Sequence, residues 1–112
     1  MSLLGCVVLI VQRKWAIARD LSAAFEANDA RVLLANNART ALALADAPGL
    51  CAAVLDSESR PVCKRLAERS IPFIVYSGRE HIDDECAEGS ILRKPATSKA
   101  VVAAVMQQLL SK

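Results

Sequence analysis

The chain has 112 residues, of which 54% are hydrophobic, 23% charged and 4% aromatic, and its formal net charge is +2. This length fits one domain spanning 1–112, and the hydrophobic share is too high for a disordered chain. Basic and acidic residues are interleaved, unlike the basic stripe of a nucleic-acid binder, and no apolar run reaches the roughly 18 residues of a membrane span. We therefore expect neither nucleic acid nor a membrane as a partner.

Five short apolar runs recur along the chain and predict β-strands. Each run is continuous rather than alternating, which is typical of strands buried on both faces of a parallel sheet. The runs cover residues 6–11, 32–35, 51–55, 73–76 and 90–92.

Segments with helical periodicity separate these runs. Ile17, Leu21 and Phe25 recur every four residues after the first run, and Val101 and Val105 repeat this spacing after the last. Weaker stripes predict a second and a third helix, and a short acidic helix begins at Ile82 and ends at Glu88. Strand and helix thus alternate five times, which predicts a compact three-layer α/β domain with a parallel sheet.

Residues typical of turns and helix caps stand at the boundaries between these predicted strands and helices. Asn37 is a suitable cap for the second helix, Pro61 suits the first turn of the third, and Thr97 or Ser98 can cap the last. Pro72 favours the start of the fourth strand. We expect Trp15 to pack at the start of the first helix.

The spacing of apolar residues in the predicted strands and helices also predicts which side chains form the core. We expect five strand residues to be nearly fully buried, with Leu21, Phe25, Val101 and Val105 packed on them. The strand residues are Val8, Ile10, Val54, Ile74 and Val75.

The four cysteines, Cys6, Cys51, Cys63 and Cys86, contain no Cys-x-x-Cys pair. Their spacing fits no common metal site or disulfide framework. Together with the absence of signal-peptide features at the start of the sequence, this favours reduced, structural cysteines in a cytoplasmic protein.

Polar residues follow three of the predicted strands. Asp56 follows the third, Ser77 ends the fourth, and Lys94 follows the fifth. In open parallel sheets, functional sites lie beyond the carboxyl ends of the strands. A carboxylate, a hydroxyl and an ammonium at one edge suit phosphoryl transfer, with the carboxylate as nucleophile and the other two groups binding phosphoryl oxygens.

Four segments, in order, carry a resemblance to a known family: VVLIV at 7–11, AVLD at 53–56, IPFIVYSG at 71–78 and LRKP at 92–95. With these segments the whole chain resembles a receiver domain of bacterial two-component response regulators. The resemblance implies a flavodoxin-like (βα)5 fold with strand order 2-1-3-4-5. It also implies that Asp56 is the phosphoacceptor, Ser77 the switch hydroxyl and Lys94 the phosphoryl contact, with a cis bond before Pro95.

The sequence departs from the family at the metal site. Receivers usually carry two acids after the first strand, and this chain has Gln12 and Arg13. The matched positions then change from a negative to a positive net charge, so Mg²⁺ binding should be weak or absent and no other cofactor is expected. Glu58 could restore only one charge.

Arg13 allows two interpretations. Turned inward, it could pair with Asp56 in the space of the metal, and turned outward it would be a solvated surface residue. Ile91, where many receivers have Tyr or Phe, indicates that coupling between Asp56 and the far face is weakened or differently built.

These observations favour a stand-alone, divergent receiver that acts by binding a histidine kinase or another signalling protein and is not an enzyme. The partner surface implied by the family comprises the helix from Ile82 to Glu88, Ile91, and the last helix between Thr97 and Gln107. The alternative is a working phosphoacceptor, a phosphate sink or relay, in which Arg13 and Lys94 replace the metal. A redox or flavin module acting through the cysteines is a lesser alternative, which the lack of a phosphate loop after Val11 disfavours.

Overall fold

The computed structural model describes residues 3, 5–55, 60–77, 90–93 and 98–110, and the remaining residues lie outside this description. The strands and helices alternate as the sequence predicts. They are β1 (Val7–Val11), α1 (Trp15–Glu26), β2 (Arg31–Ala35), α2 (Ala38–Leu44), β3 (Leu50–Leu55), α3 (Arg60–Glu68), β4 (Phe73–Ser77), β5 (Ser90–Arg93) and α4 (Ser98–Leu110). The helix predicted from Ile82 to Glu88 falls outside the described residues.

The five strands form one sheet in the order β2-β1-β3-β4-β5, and every neighbouring pair is parallel. This confirms the predicted order. The register brings the carboxyl ends of the strands to one edge, because Val11 pairs with both Ala35 and Leu55, and Leu55 pairs with Val75. The strands β1, β2 and β3 therefore end at the same edge of the sheet.

Each face of the sheet carries its own apolar core. The helices α1 and α4 cover one face, where Leu21, Phe25, Val101 and Val105 pack with strand residues that include Val8, Ile10, Val54 and Ile74. The helices α2 and α3 cover the other face through Ala41, Val62 and Leu66. The first and last of the described helices therefore share one face of the sheet, and the two between them share the other.

The predicted strand core is buried at all five positions, but one residue faces the other way. Val75 is fully buried, yet it packs in the cluster of α2 and α3 and not against α1 and α4. The reason is the alternation of side chains along a strand, which puts Val75 and its neighbour Ile74 on opposite faces.

Local chemistry explains several element boundaries. The Asn37 side chain accepts a hydrogen bond of 2.8 Å from the backbone N–H of Thr40, which caps α2 as predicted. Pro61 lies in the first turn of α3, and β4 begins directly after Pro72. Between α2 and α3, the Arg65 guanidinium lies 2.6 Å from the Asp46 carboxylate.

The cysteines are not all reduced. Cys6 and Cys51 are free thiols, whereas Cys63, on the buried face of α3, is disulfide-bonded. The expectation of reduced cysteines is therefore wrong for Cys63, because spacing along the sequence does not report which thiols the fold brings together. Within the described ranges, no helix has the length and apolar character needed to cross a membrane.

Candidate functional site at the carboxyl edge

The candidate site begins where the chain leaves β1. The backbone N–H of Gln12 donates a 3.0 Å hydrogen bond to the carbonyl of Ala35, so the residue after β1 is still tied to the end of β2. This bond holds Gln12 at the carboxyl edge of the sheet, directly beyond the buried Val11. The position is the one where the family usually carries an acid.

The Gln12 side chain is buried, with an exposed fraction of only 2%. Neither its Oε1 nor its Nε2 has a hydrogen-bond partner in the part of the chain that the structure describes. A buried amide without partners is unfavourable by about 1–3 kcal/mol for each group, and native proteins rarely keep one without a functional reason. The sequence shows a neutral residue at this position, but it does not show that its amide is buried and unsatisfied.

The next residues turn towards the surface. Arg13 and Lys14 are exposed, so Arg13 does not occupy a buried position at the edge of the sheet. Trp15, the first residue of α1, is 68% exposed. The prediction that Trp15 packs at the start of the helix is therefore wrong, because most of its surface is in contact with solvent.

The three residues predicted to carry phosphoryl chemistry are only partly within the described structure. Ser77 is the last residue of β4, and its backbone pairs with Arg93 of β5. Asp56 follows Leu55 at the end of β3 in the sequence, and Lys94 follows Arg93, but both lie outside the described residues, as does Glu58. The sheet thus brings Ser77 to the carboxyl edge, while the convergence of Asp56, Ser77 and Lys94 stays a prediction.

The residues after β1 do not fit the divalent metal that the fold family implies. Mg²⁺ prefers carboxylate oxygens, and this segment offers one neutral amide oxygen, on Gln12, followed by the positive charge of Arg13. No group of three or more His, Cys, Asp or Glu within the described ranges could hold a metal. The donor set on this side of the edge therefore does not match a family-type Mg²⁺ site.

A cavity of about 240 Å³ opens at the same edge, between the ends of β1 and β2 and the first turns of α1 and α2. Its lining includes the buried Gln12 and the exposed Trp15, together with Leu34, which is 39% exposed. The remaining lining residues are Ala18, Ala35, Asn36 and Thr40. Its lining residues come from the ends of two strands and the first turns of two helices, so the pattern along any one of these elements does not reveal the cavity.

Several solved structures share this architecture. A CheY-like receiver domain from Methanospirillum hungatei JF-1 superposes with a TM-score of 0.79 at 17% identity, with 94% of each chain covered. SdrG from Sphingomonas melonis Fr1 has a TM-score of 0.76 at 29% identity, covering 98% of this chain and 99% of that one. The chain has the fold of a response-regulator receiver domain.

A third solved structure contains a phosphorylated aspartic acid. A response regulator from Burkholderia pseudomallei, solved with a phosphorylated aspartic acid, calcium ion and citrate, has a TM-score of 0.77 at 21% identity, covering 94% of this chain and 69% of that one. No protein-family model and no curated protein sequence matches this chain. The resemblance lies in the fold far more than in the sequence.

Proposed function

We propose that the chain is a receiver domain of two-component signal transduction that acts in the cytoplasm by binding another protein. In this proposal, metal-dependent phosphorylation at Asp56 is impaired, and the domain does not turn over a substrate. The observation that carries the proposal is the buried, neutral Gln12 at the carboxyl end of β1, in a chain with the receiver fold.

Charge at this position decides whether a dication is attracted. A phosphoryl group is transferred with the help of cations that neutralise the charge on its oxygens, and Mg²⁺ requires anionic oxygen ligands to stay bound. Gln12 supplies no charge, and Arg13 adds a positive one within the same loop. The segment that should attract Mg²⁺ therefore repels it.

Output by protein binding requires an accessible surface. On α4, the residues Lys99, Ala100, Ala103 and Gln107 are exposed, while Val101, Val102 and Val105 face the core. This exposed face consists mostly of small or uncharged side chains, which a partner can cover without burying many charges. We propose it, with Ile91 and the segment from Ile82 to Glu88, as the docking surface for a histidine kinase or another signalling protein.

Mass spectrometry after exposure to acetyl phosphate, with and without Mg²⁺, tests the loss of metal-dependent phosphorylation. The expected result is no Mg²⁺-dependent gain of a phosphoryl group in the natural sequence. The double change Gln12→Glu with Arg13→Asp should restore a gain that requires Mg²⁺, and adding Asp56→Asn to that variant should abolish it.

Two other outcomes are informative. A gain on Asp56 in the natural sequence without Mg²⁺, lost in Arg13→Ala, would support the alternative in which Arg13 and Lys94 replace the metal. A gain in the natural sequence that depends on Mg²⁺ would contradict the proposal.

A further inference from the structure

The outer edge of β2 has no neighbouring strand within the described ranges. On the inner side of β2, the N–H of Arg31 and the carbonyl of Ala35 are hydrogen-bonded to the two residues that flank β1. Backbone groups alternate in direction along a strand of a parallel sheet, so the N–H and C=O groups of Val32 and Leu34 point away from β1. The edge therefore presents two outward donors and two outward acceptors to a further strand.

This edge lacks most of the features by which proteins protect an exposed strand. Edge strands usually carry proline or a bulge, bear several charges or are very short, because an unpaired edge accepts strands from other chains. All five residues of β2 pair in regular register with β1, and none is proline. The one charged residue of β2 is Arg31, at its amino end. Such an edge is suited to the addition of an extended peptide as a further strand.

The cavity at the carboxyl end of β2 supplies a pocket for one side chain of such a peptide. Leu34 belongs to both features, because its backbone faces outward and its side chain lines the cavity beside the exposed Trp15. The volume of about 240 Å³ is below the roughly 300–1,000 Å³ of pockets for drug-sized ligands, so one bulky side chain is the size that fits. Contact with the Trp15 ring favours an aromatic side chain.

The charges around the cavity favour an acidic partner. Four basic residues and one acid, Asp20, lie within two positions of the lining residues in the chain. The four basic residues are all exposed, and they are Arg13, Lys14, Arg19 and Arg39. These positive charges attract carboxylates, whereas a second copy of this chain would bring the same cations together. The favoured occupant is therefore an acidic segment of another protein.

We propose that β2 binds an extended, acidic segment of a partner protein as a sixth strand, with one aromatic side chain of that segment in the cavity beside Trp15 and Leu34. The strands β2 and β5 are at opposite edges of the sheet, so this surface is separate from the docking surface proposed on α4. Binding here uses neither phosphate on Asp56 nor Mg²⁺. It therefore does not depend on the proposed loss of phosphorylation.

A capped nine-residue peptide tests the proposal, with phenylalanine at its centre, valine two positions to each side and glutamate elsewhere. This sequence reads the same in both directions, so it suits parallel and antiparallel addition equally. Fluorescence anisotropy of the labelled peptide measures affinity, and backbone amide NMR locates the site. Three matched peptides carry lysine in place of glutamate, alanine in place of phenylalanine, or methyl groups on the five central backbone nitrogens.

Three protein variants separate the contributions of the edge, the pocket and the charge. Val32→Pro removes an outward N–H, a change that edge strands tolerate, and Val32→Thr is its control because it keeps the N–H and the branched shape. Trp15→Ala opens the pocket. Arg39→Glu reverses one charge near the cavity, and Lys64→Glu, at an exposed position on α3, is its control. Circular dichroism checks that each variant is folded.

The expected result is saturable binding of the acidic peptide to the natural protein, with slower solvent exchange at the N–H groups of Val32 and Leu34. Each of the three matched peptides should bind at least about tenfold more weakly. Val32→Pro and Trp15→Ala should also weaken binding at least about tenfold, and Arg39→Glu about threefold, while the two control variants bind normally. If Val32→Pro does not fold, the methylated peptide tests the same hydrogen bonds from the other side.

Four outcomes would overturn the proposal. They are absence of saturable binding, equal affinity for the lysine peptide, unchanged affinity for the methylated peptide, and NMR changes on α4 rather than β2. Dimerisation of the natural protein without peptide, abolished by Val32→Pro in analytical ultracentrifugation, would show that a second copy occupies the edge and would overturn the assignment to an acidic partner.

Discussion

The two ends of β1 carry polar side chains in opposite situations. At the amino end, the half-buried Cys6 thiol lies beside Cys51 at the start of β3, whose own thiol donates a hydrogen bond to the carbonyl of Gly49. At the carboxyl end, the Gln12 amide is more deeply buried and has no partner in the described structure. Between them, the residues from Val8 to Val11 are buried among apolar neighbours.

The difference separates residues that stabilise the fold from residues kept for another reason. Apolar packing in the middle of β1 and the paired thiols at its start agree with the local rules of folding. The buried Gln12 amide departs from these rules because it has no hydrogen-bond partner in the described structure. Natural proteins depart from such rules mostly at functional sites. Substitutions at the two kinds of position should therefore change the stability of the fold in opposite directions.

The apolar interior should show the largest loss of stability. Phe25, on α1, is fully buried, and Phe25→Ala should lower the free energy of unfolding by about 3–5 kcal/mol, because it removes buried apolar contacts and leaves a cavity. Urea denaturation measures this change. Trp15→Ala is the matched control, since it truncates an exposed aromatic on the same helix and should change stability by less than about 1 kcal/mol.

Substitution of Gln12 should change the free energy of unfolding in the opposite direction. We expect Gln12→Leu to raise the free energy of unfolding by about 1–3 kcal/mol, because a buried amide without partners is replaced by an apolar side chain of similar volume. Thermal and urea unfolding check this increase. Ser22→Ala, which removes the other buried unpaired oxygen of the described structure, should stabilise the fold less. A loss of stability in Gln12→Leu would show that the Gln12 amide is satisfied.

The amino end of β1 should show a smaller, pH-dependent effect. Burial, and then the hydrogen bond and the electrostatic interaction with Cys51, raise the pKa of the Cys6 thiol to about 11. The folded protein therefore holds Cys6 neutral where the unfolded chain ionises it. The stability that follows from this difference is complete below the ordinary pKa of a thiol and is lost as the pH rises towards 11.

Alkylation by iodoacetamide, followed residue by residue by mass spectrometry, tests the titration of Cys6. Its rate should keep increasing up to a pH of about 11. In Cys51→Ala the midpoint should move to lower pH, because two of the three causes of the shift are removed. A Cys6 midpoint that does not move in this variant would contradict the role of the thiol pair.

The sequence was sufficient to predict the fold, but it predicted less of the candidate site. Continuous apolar runs predicted each described strand to within one residue at either end, because burial on both faces of a parallel sheet leaves a strong pattern. Helical spacing predicted a helix in each interval where the structure describes one, without fixing its ends. The orientation of Val75 follows from strand alternation and could have been derived. Burial of the Gln12 amide and exposure of Trp15 could not, because both depend on how the chain turns between β1 and α1.

The disulfide at Cys63 and the cavity between β1 and β2 were also beyond the sequence. Both depend on residues that are not neighbours in the sequence and that the fold brings together. The cavity in particular results from the small side chains of Ala18 and Ala35, which the helical and strand patterns record only as apolar. The placement of Asp56 and Lys94 stays a prediction of the resemblance.

The central claim is that Gln12 and Arg13 remove the attraction for Mg²⁺ at this edge of the sheet. Calorimetric titration of Mg²⁺ into the natural protein and into the double variant Gln12→Glu with Arg13→Asp tests it most directly. We predict saturable binding to the variant, at least about tenfold tighter than to the natural protein, since two anionic oxygen ligands are restored and one positive charge is removed. Equal affinity of the two proteins for Mg²⁺ would contradict the account and would show that other ligands, Glu58 first among them, hold the metal.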